Sequence, residues 1–267
     1  MNIRADIQFL RGIAVLLVVL YHAKISFFKG GYMGVDVFFV ISGFLITGLI
    51  KKGIEANTFS FFGFYYRRAK RLLPAAYTTF ATTLVLAYFL LTTQELKDFY
   101  VQMVGAITFT ANMVLWGQGT YFGVEADLKP LLHTWSLSVE EQYYLIVPAA
   151  MFFIPRKFWK PAVLLSFTLS LIFCLIIYSF QHSAAFYLFP ARAWELLIGS
   201  IGAIYYDKVN QDGSIKYLFW PSLIGIIYLS INPIGGIHPG PDALIICTLT
   251  LIVILINNQK PFKNFIA

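Results

Sequence analysis

The chain has 267 residues, 58% of them hydrophobic and 12% charged, with a net charge of +7. Soluble domains carry about 25% charged residues, and so small a charged share cannot cover a water-facing globule of this length. The positive balance does not point to nucleic acid either, because Lys and Arg stand in short clusters between long apolar stretches, the pattern of loops that orient membrane helices.

A spanning helix needs about 20 mostly apolar residues. Candidates come in chain order at 7–25, 32–50, 72–92, 137–154, 161–178, 189–206, 217–231 and 241–256. The first run carries Arg11 and His22 and is followed by no small-residue cleavage pattern, so it is read as a retained helix rather than a signal peptide. Between the second and third, 59–66 is aromatic and leads into Arg67-Arg68-Ala69-Lys70-Arg71, which suits an interfacial helix with its basic end at the headgroups.

A ninth segment, 100–116, contains Gln102, Thr108, Thr110 and Asn112; lipid does not solvate these groups, so the segment must be buried in protein or only dip into the bilayer. The fold class that follows is all-α, a polytopic transmembrane bundle of about eight or nine segments in one domain, 1–267.

The stretch 51–71 holds six of the twenty basic residues, which places it, and with it the N-terminus, in the cytoplasm by the positive-inside rule. If 100–116 crosses fully, the groups Arg156/Lys157/Lys160, Lys208/Lys216 and Lys260/Lys263 all fall outside; if it re-enters, they fall inside. Re-entry is therefore the expectation, with 133–141 near the external face.

Ionisable groups inside hydrocarbon cost at least a few kcal/mol, so each is a candidate for function or for structural pairing. Arg11 and His22 lie eleven residues apart on one helix face, about 16 Å along the axis. A histidine titrates near neutrality and can take a proton from a hydroxyl, or it can be a neutral core residue bonded to a neighbouring helix. Asp36, at the start of the second helix, can orient such an imidazole or simply favour its own helix dipole.

Glu140 and Glu141 follow Ser136, a helix N-cap candidate; adjacent acids point in different directions, so one of the two is expected to face the cavity. Arg192 and Glu195, three apart, form a ready-made pair, and Gly199 and Gly202 near that face let a neighbouring helix approach closely. Arg68 and Arg71 put two guanidinium forks on one face, chemistry suited to phosphate oxygens as well as to a topology signal. Cys174 and Cys247 each lie inside an apolar run and suggest inert packing, with no disulfide framework and no metal site.

Several of these elements, in order, resemble the membrane-bound acyltransferase-3 family, which includes bacterial O-antigen, peptidoglycan and exopolysaccharide O-acetyltransferases. They are Leu10-Arg11-Gly12 through His22, Gly34-Val35-Asp36-Val37-Phe38-Phe39, Arg68-Ala69-Lys70-Arg71 before Pro74, Thr134-Trp135-Ser136 through Glu140-Glu141-Gln142, and Arg192-Ala193-Trp194-Glu195 with Gly199.

The resemblance covers essentially the whole chain. It implies that His22 serves the acyl transfer, as base or as transient acyl carrier, that Arg11 assists it, and that Arg68 with Arg71 engages an acyl-coenzyme A donor. Asp36, Glu140, Glu141, Arg192 and Glu195 complete the candidate catalytic set, with acetyl-coenzyme A as substrate and no metal. The implied partners are the bilayer and a glycan or glycolipid acceptor, not nucleic acid, and the implied location is the inner membrane. Family domains usually continue for further helices, and many add an extracytoplasmic esterase-like domain, so a C-terminally shortened form without that domain is expected. A proton-coupled transporter, built on the same intramembrane charges, and an inactive truncated acyltransferase are the alternatives.

Overall fold

The computed structural model describes residues 4–119, 121, 126, 128–209, 213–235 and 238–256. Lys260, Lys263 and the side chain of Lys208 lie outside the described residues. Helices α1 (Ala5–His22), α2 (Gly34–Glu55), α3 (Phe61–Leu90), α4 (Thr93–Ile107), α5 (Ala111–Gly117), α6 (Thr134–Phe153), α7 (Trp159–Phe180), α8 (His182–Tyr187), α9 (Phe189–Val209), α10 (Phe219–Ile231) and α11 (Pro241–Ile256) follow one another, with no strand among the described residues.

The chain is thus an all-α membrane bundle. By length and composition, Ala5–His22, Gly31–Glu55, Phe61–Leu90 and Arg156–Phe180 suffice to span a bilayer. The basic and aromatic stretch before Leu72 is not a separate helix: α3 runs unbroken through Pro74 for 30 residues, begun by a Ser60 cap on the Gly63 N–H. Pro74 lacks only its own donor to the preceding turn, and the helix continues past it.

Two compact units emerge. The first comprises the described residues of Met1–Leu49, Arg156–Leu171 and Ala193–Ala267. Its α1 buries Ile7, Leu10, Ala14 and Leu17, a helix-periodic apolar face. Where α2 and α9 cross, a Cβ on Gly43 would stand 1.8 Å from the Leu196 carbonyl oxygen, and one on Gly199 would stand 2.1 Å from that of Val40. Backbone therefore meets backbone, the approach expected at Gly199. At Gly202 the neighbours are side chains, Leu251 and Phe44, rather than backbone. One turn on, the Thr47 and Ser200 hydroxyls share a 2.7 Å hydrogen bond.

The second unit comprises Ile50–Pro155 and Ile172–Arg192. Here α4 and α6 line successive halves of α3. Phe99, Met103 and Ala106 of α4 pack on Ala76, Phe80 and Ala87. In α6, Phe152 meets Phe61 with ring centroids 5.1 Å apart, and the Leu145 carbonyl accepts from the Tyr65 hydroxyl at 3.2 Å. Both helices run antiparallel to α3, so α6 begins beside the middle of α3 and ends beside its start.

Between α4 and α6 the chain makes a helical hairpin. Phe109 turns it with φ of +56°, and α5 folds back so closely that a Cβ on Gly105 would lie 2.9 Å from Val114 Cγ2. Of the polar residues that flagged 100–116, Asn112 joins the network that satisfies this turn, while Gln102 donates to Gln118. Gln142 donates to the Phe109 carbonyl at 3.0 Å and to Asn112 Oδ1 at 2.9 Å, Asn112 donates to the Tyr187 carbonyl at 3.1 Å, and the Ala111 N–H donates to Ser138 Oγ. Non-helical backbone away from water requires such partners. The hairpin thus folds α5 back on α4, while α6 ends beside the start of α3.

Candidate functional site

In the first unit, Arg11 lies half-buried in the middle of α1 and His22 half-buried as its last residue. The His22 ring meets Tyr21 edge-on at 5.0 Å, and Tyr21 in turn meets Tyr32 at 5.3 Å. Asp36, in the first turn of α2, is fully buried. His238 lies against it, with Nε2 3.5 Å from Asp36 Oδ2, while its Nδ1 is 3.8 Å from Asp242 Oδ1 in the first turn of α11. The Tyr32 hydroxyl donates to Asp242 Oδ2 at 3.5 Å, and its ring stands edge-on to His238 at 4.8 Å. His238, Asp242 and Tyr32 are absent from the set chosen by sequence. The signal for the first two was a His and an Asp four apart at a helix start, set among Pro239, Gly240 and Pro241.

In the second unit, Arg68 and Glu141 form a 2.6 Å ion pair. The guanidinium carbon stands 3.6 Å over the centre of the Tyr144 ring, a cation–π contact, and the Tyr144 hydroxyl donates to Glu140 Oε2 at 3.2 Å. Arg71 is exposed. Two expectations change. Both acids belong to this cluster, Glu141 directly and Glu140 through Tyr144, because residues 140 and 144 stack one turn apart and the long Glu141 side chain reaches Arg68. Nor does Glu141 lie opposite Arg68 along α3: the ion pair puts the two groups at one depth. Ser136 sits inside the first turn of α6, where its hydroxyl bonds back to the His133 carbonyl, rather than at the cap.

Arg192 and Glu195 are both fully buried, three positions apart on α9. The Arg192 guanidinium carbon lies 5.4 Å from the ring centres of both Trp135 and Phe186, so aromatic faces line the cation. No cluster of His, Cys, Asp and Glu among the described residues could hold a metal ion.

Compared with known proteins, residues 4–266 match the acyltransferase-domain family model of acyltransferase 3. The chain is 35% identical over 245 residues to an uncharacterized protein of Haemophilus influenzae, covering 85% of this chain and 100% of that protein. It is 31% identical over 282 residues to the O-acetyltransferase OatA of Staphylococcus aureus, covering 97% of this chain and 46% of that protein. It is 33% identical over 203 residues to the peptidoglycan O-acetyltransferase OatA of Listeria monocytogenes, covering 73% of this chain and 32% of that protein. The chain therefore spans about half the length, or less, of these two O-acetyltransferases. No solved structure gives a significant match.

Proposed function

This chain belongs to the acyltransferase-3 family, and from that premise we propose that it moves an acetyl group from acetyl-coenzyme A to a hydroxyl of a cell-surface carbohydrate, as the names of its O-acetyltransferase relatives suggest. In this reading the acceptor hydroxyl oxygen attacks the thioester carbonyl carbon. The new C–O bond forms as the C–S bond breaks, and the hydroxyl proton passes to His22 and from there to the departing coenzyme A sulfur. Arg11 lies on the same helix face as His22, towards the start of α1, and Asp36 fixes the charge balance near the end of that helix. Arg68 and Arg71 grip donor phosphates; Glu140 and Glu141 hold Arg68 until the donor arrives. Arg192, balanced by Glu195, is the candidate for stabilising the oxyanion. The donor is taken from the cytoplasm and the acceptor lies across the inner membrane.

The observation that supports this most is the Arg68 cluster. Its guanidinium is backed by an aromatic face and held by one carboxylate, while its Nε is buried without a hydrogen-bond partner among the described residues. A phosphate can take the carboxylate's place on such a fork without the cation moving. The test is ester-linked acetate in cell-surface glycan from cells carrying the wild type, His22→Ala or Arg68→Ala. Loss of acetate in both variants is expected; undiminished acetate in both would remove the roles, and no acetate even with the wild type would remove the activity.

A further inference from the structure

We propose that His238 is a positioning residue that holds Asp36 in place and in its charged state for acyl transfer, a reading that rests on the activity proposed above. Three elements bring its imidazole there: Asp36 from α2, Asp242 from α11, and Tyr32 from the turn before α2. The side chains of His238, Asp36 and Asp242 are 4%, 0% and 3% exposed, so water does little to separate the two carboxylates. Like charges buried together do not both stay ionised unless a cation stands between them. The imidazole of His238 is the group the fold places there, and in its protonated form it supplies that cation.

Helix capping does not account for the arrangement. Asp36 and Asp242 each sit in the first turn of their own helix, where the dipole already favours an acid, and Asp242 Oδ1 also accepts from the Ala243 N–H at 2.8 Å. Nor does stability alone account for it, since well-packed apolar residues commonly stabilise a core as much as buried ions do. What an imidazole set between the two carboxylates, 3.5 Å from one and 3.8 Å from the other, adds is a fixed place for each acid. The ring series from His238 through Tyr32 and Tyr21 to His22 puts this arrangement at the end of α1 that carries the proposed base.

The test uses membranes from cells making the full chain, supplied with radiolabelled acetyl-coenzyme A, with transfer to endogenous membrane glycan measured per folded copy. His238→Gln keeps a hydrogen-bonding side chain and removes the cation. The expected result is a fall of about tenfold in kcat with KM for acetyl-coenzyme A unchanged, a similar fall for Asp36→Asn, and no further loss when the two are combined, as for residues acting as one unit. Full kcat in His238→Gln, or losses that multiply in the double variant, would overturn the role of His238 and leave the proposed activity standing. Absence of transfer by the wild type would overturn both. If His238→Gln does not accumulate, Asp242→Asn, which loosens the same imidazole from its other side, carries the same comparison and the same two outcomes.

Discussion

Each unit holds a basic side chain set between two acids, and the two clusters differ chiefly in exposure. In the first unit His238 stands between Asp36 and Asp242 with side chains 4%, 0% and 3% exposed. In the second, Arg68 serves Glu141 directly and Glu140 through Tyr144, and the ion-paired side chains are 24% and 16% exposed. A cation that water reaches can exchange one anionic partner for another, because solvent covers the intermediate arrangement. A dry one cannot, because breaking a buried pair strands a charge. On the roles proposed above, the difference fits ligand exchange at the Arg68 cluster and positioning at the His238 cluster.

The dryness of the first unit depends on close helix packing, so the largest effect is expected from Gly43→Ala. Its new methyl carbon would fall 1.8 Å from the Leu196 carbonyl oxygen, and neither backbone can yield without α2 and α9 separating. A loss of about 3 kcal/mol or more is expected, at the upper end for overpacked cores, read as failure to purify a monodisperse protein. Gly202→Ala is the control, since its nearest neighbour is the flexible end of Leu251, with the Phe44 ring next at 3.4 Å and no backbone in the way; it should stay folded. Equal behaviour of the two variants would mean that the crossing is looser than the structure has it.

His238→Ala comes next. It leaves two buried carboxylates without the cation between them, and a cost of about 3 kcal/mol is expected for stranding buried charge, seen as a lowered melting temperature of the protein in nanodiscs. Adding Asp242→Asn to that variant should restore much of the loss by removing one of the two charges. A further decline instead would show that the carboxylates were held by packing and not by charge.

Glu141→Gln is the counterpart in the second unit and should be mild. The pair is partly solvated, so about 1 kcal/mol or less is expected in melting. With its carboxylate partner neutralised, Arg68 should bind coenzyme A more tightly, by a few-fold in equilibrium dialysis of the nanodisc-held protein. Weaker binding would place Glu141 among the groups that hold the donor instead of among those that yield to it.

Much of this architecture was legible in the sequence because membrane helices are written in long apolar runs: 241–256 and the end of 217–231 agree with α11 and α10 to the residue. Gly199 announced a close crossing because only a missing side chain permits one. The hairpin of α4 and α5 was legible as a difficulty, polar residues where lipid was expected, and its solution was not, since Gln142 and Tyr187 reach it from distant parts of the chain. The shared depth of Arg68 and Glu141 was hidden for a related reason. Positive-inside counting orders loops by side, whereas α6 starts partway along α3, and only packing fixes that start. His238 escaped because a Pro- and Gly-rich stretch reads as a turn, and what lies against a turn is decided by tertiary contacts.

The smallest expected effect belongs to a third charged arrangement, the capping box that opens α4 at the solvent-reachable end of the hairpin. Glu95 accepts from the Thr92 hydroxyl at 2.7 Å and from the Thr92 N–H at 2.8 Å, while Thr92 Oγ1 accepts from the Glu95 N–H. These bonds, the hydroxyl's first, hold the Glu95 carboxyl below its ordinary range. A carboxyl lowered in the folded state adds stability above its unfolded pKa, and that contribution disappears as pH falls through the folded value. Amide protection factors in the first turn of α4 should therefore decline modestly on acidification through the carboxylate range. Thr92→Ala, which removes both the hydroxyl donor and the cap acceptor, should lower protection at neutral pH by a few-fold and flatten that decline. Here water surrounds the ions, so the bonds steady one turn of helix and leave the rest of the unit unmoved; melting of the whole protein should not change. A fall in global stability comparable to that of His238→Ala would contradict the ranking by burial on which the contrast between the two clusters rests.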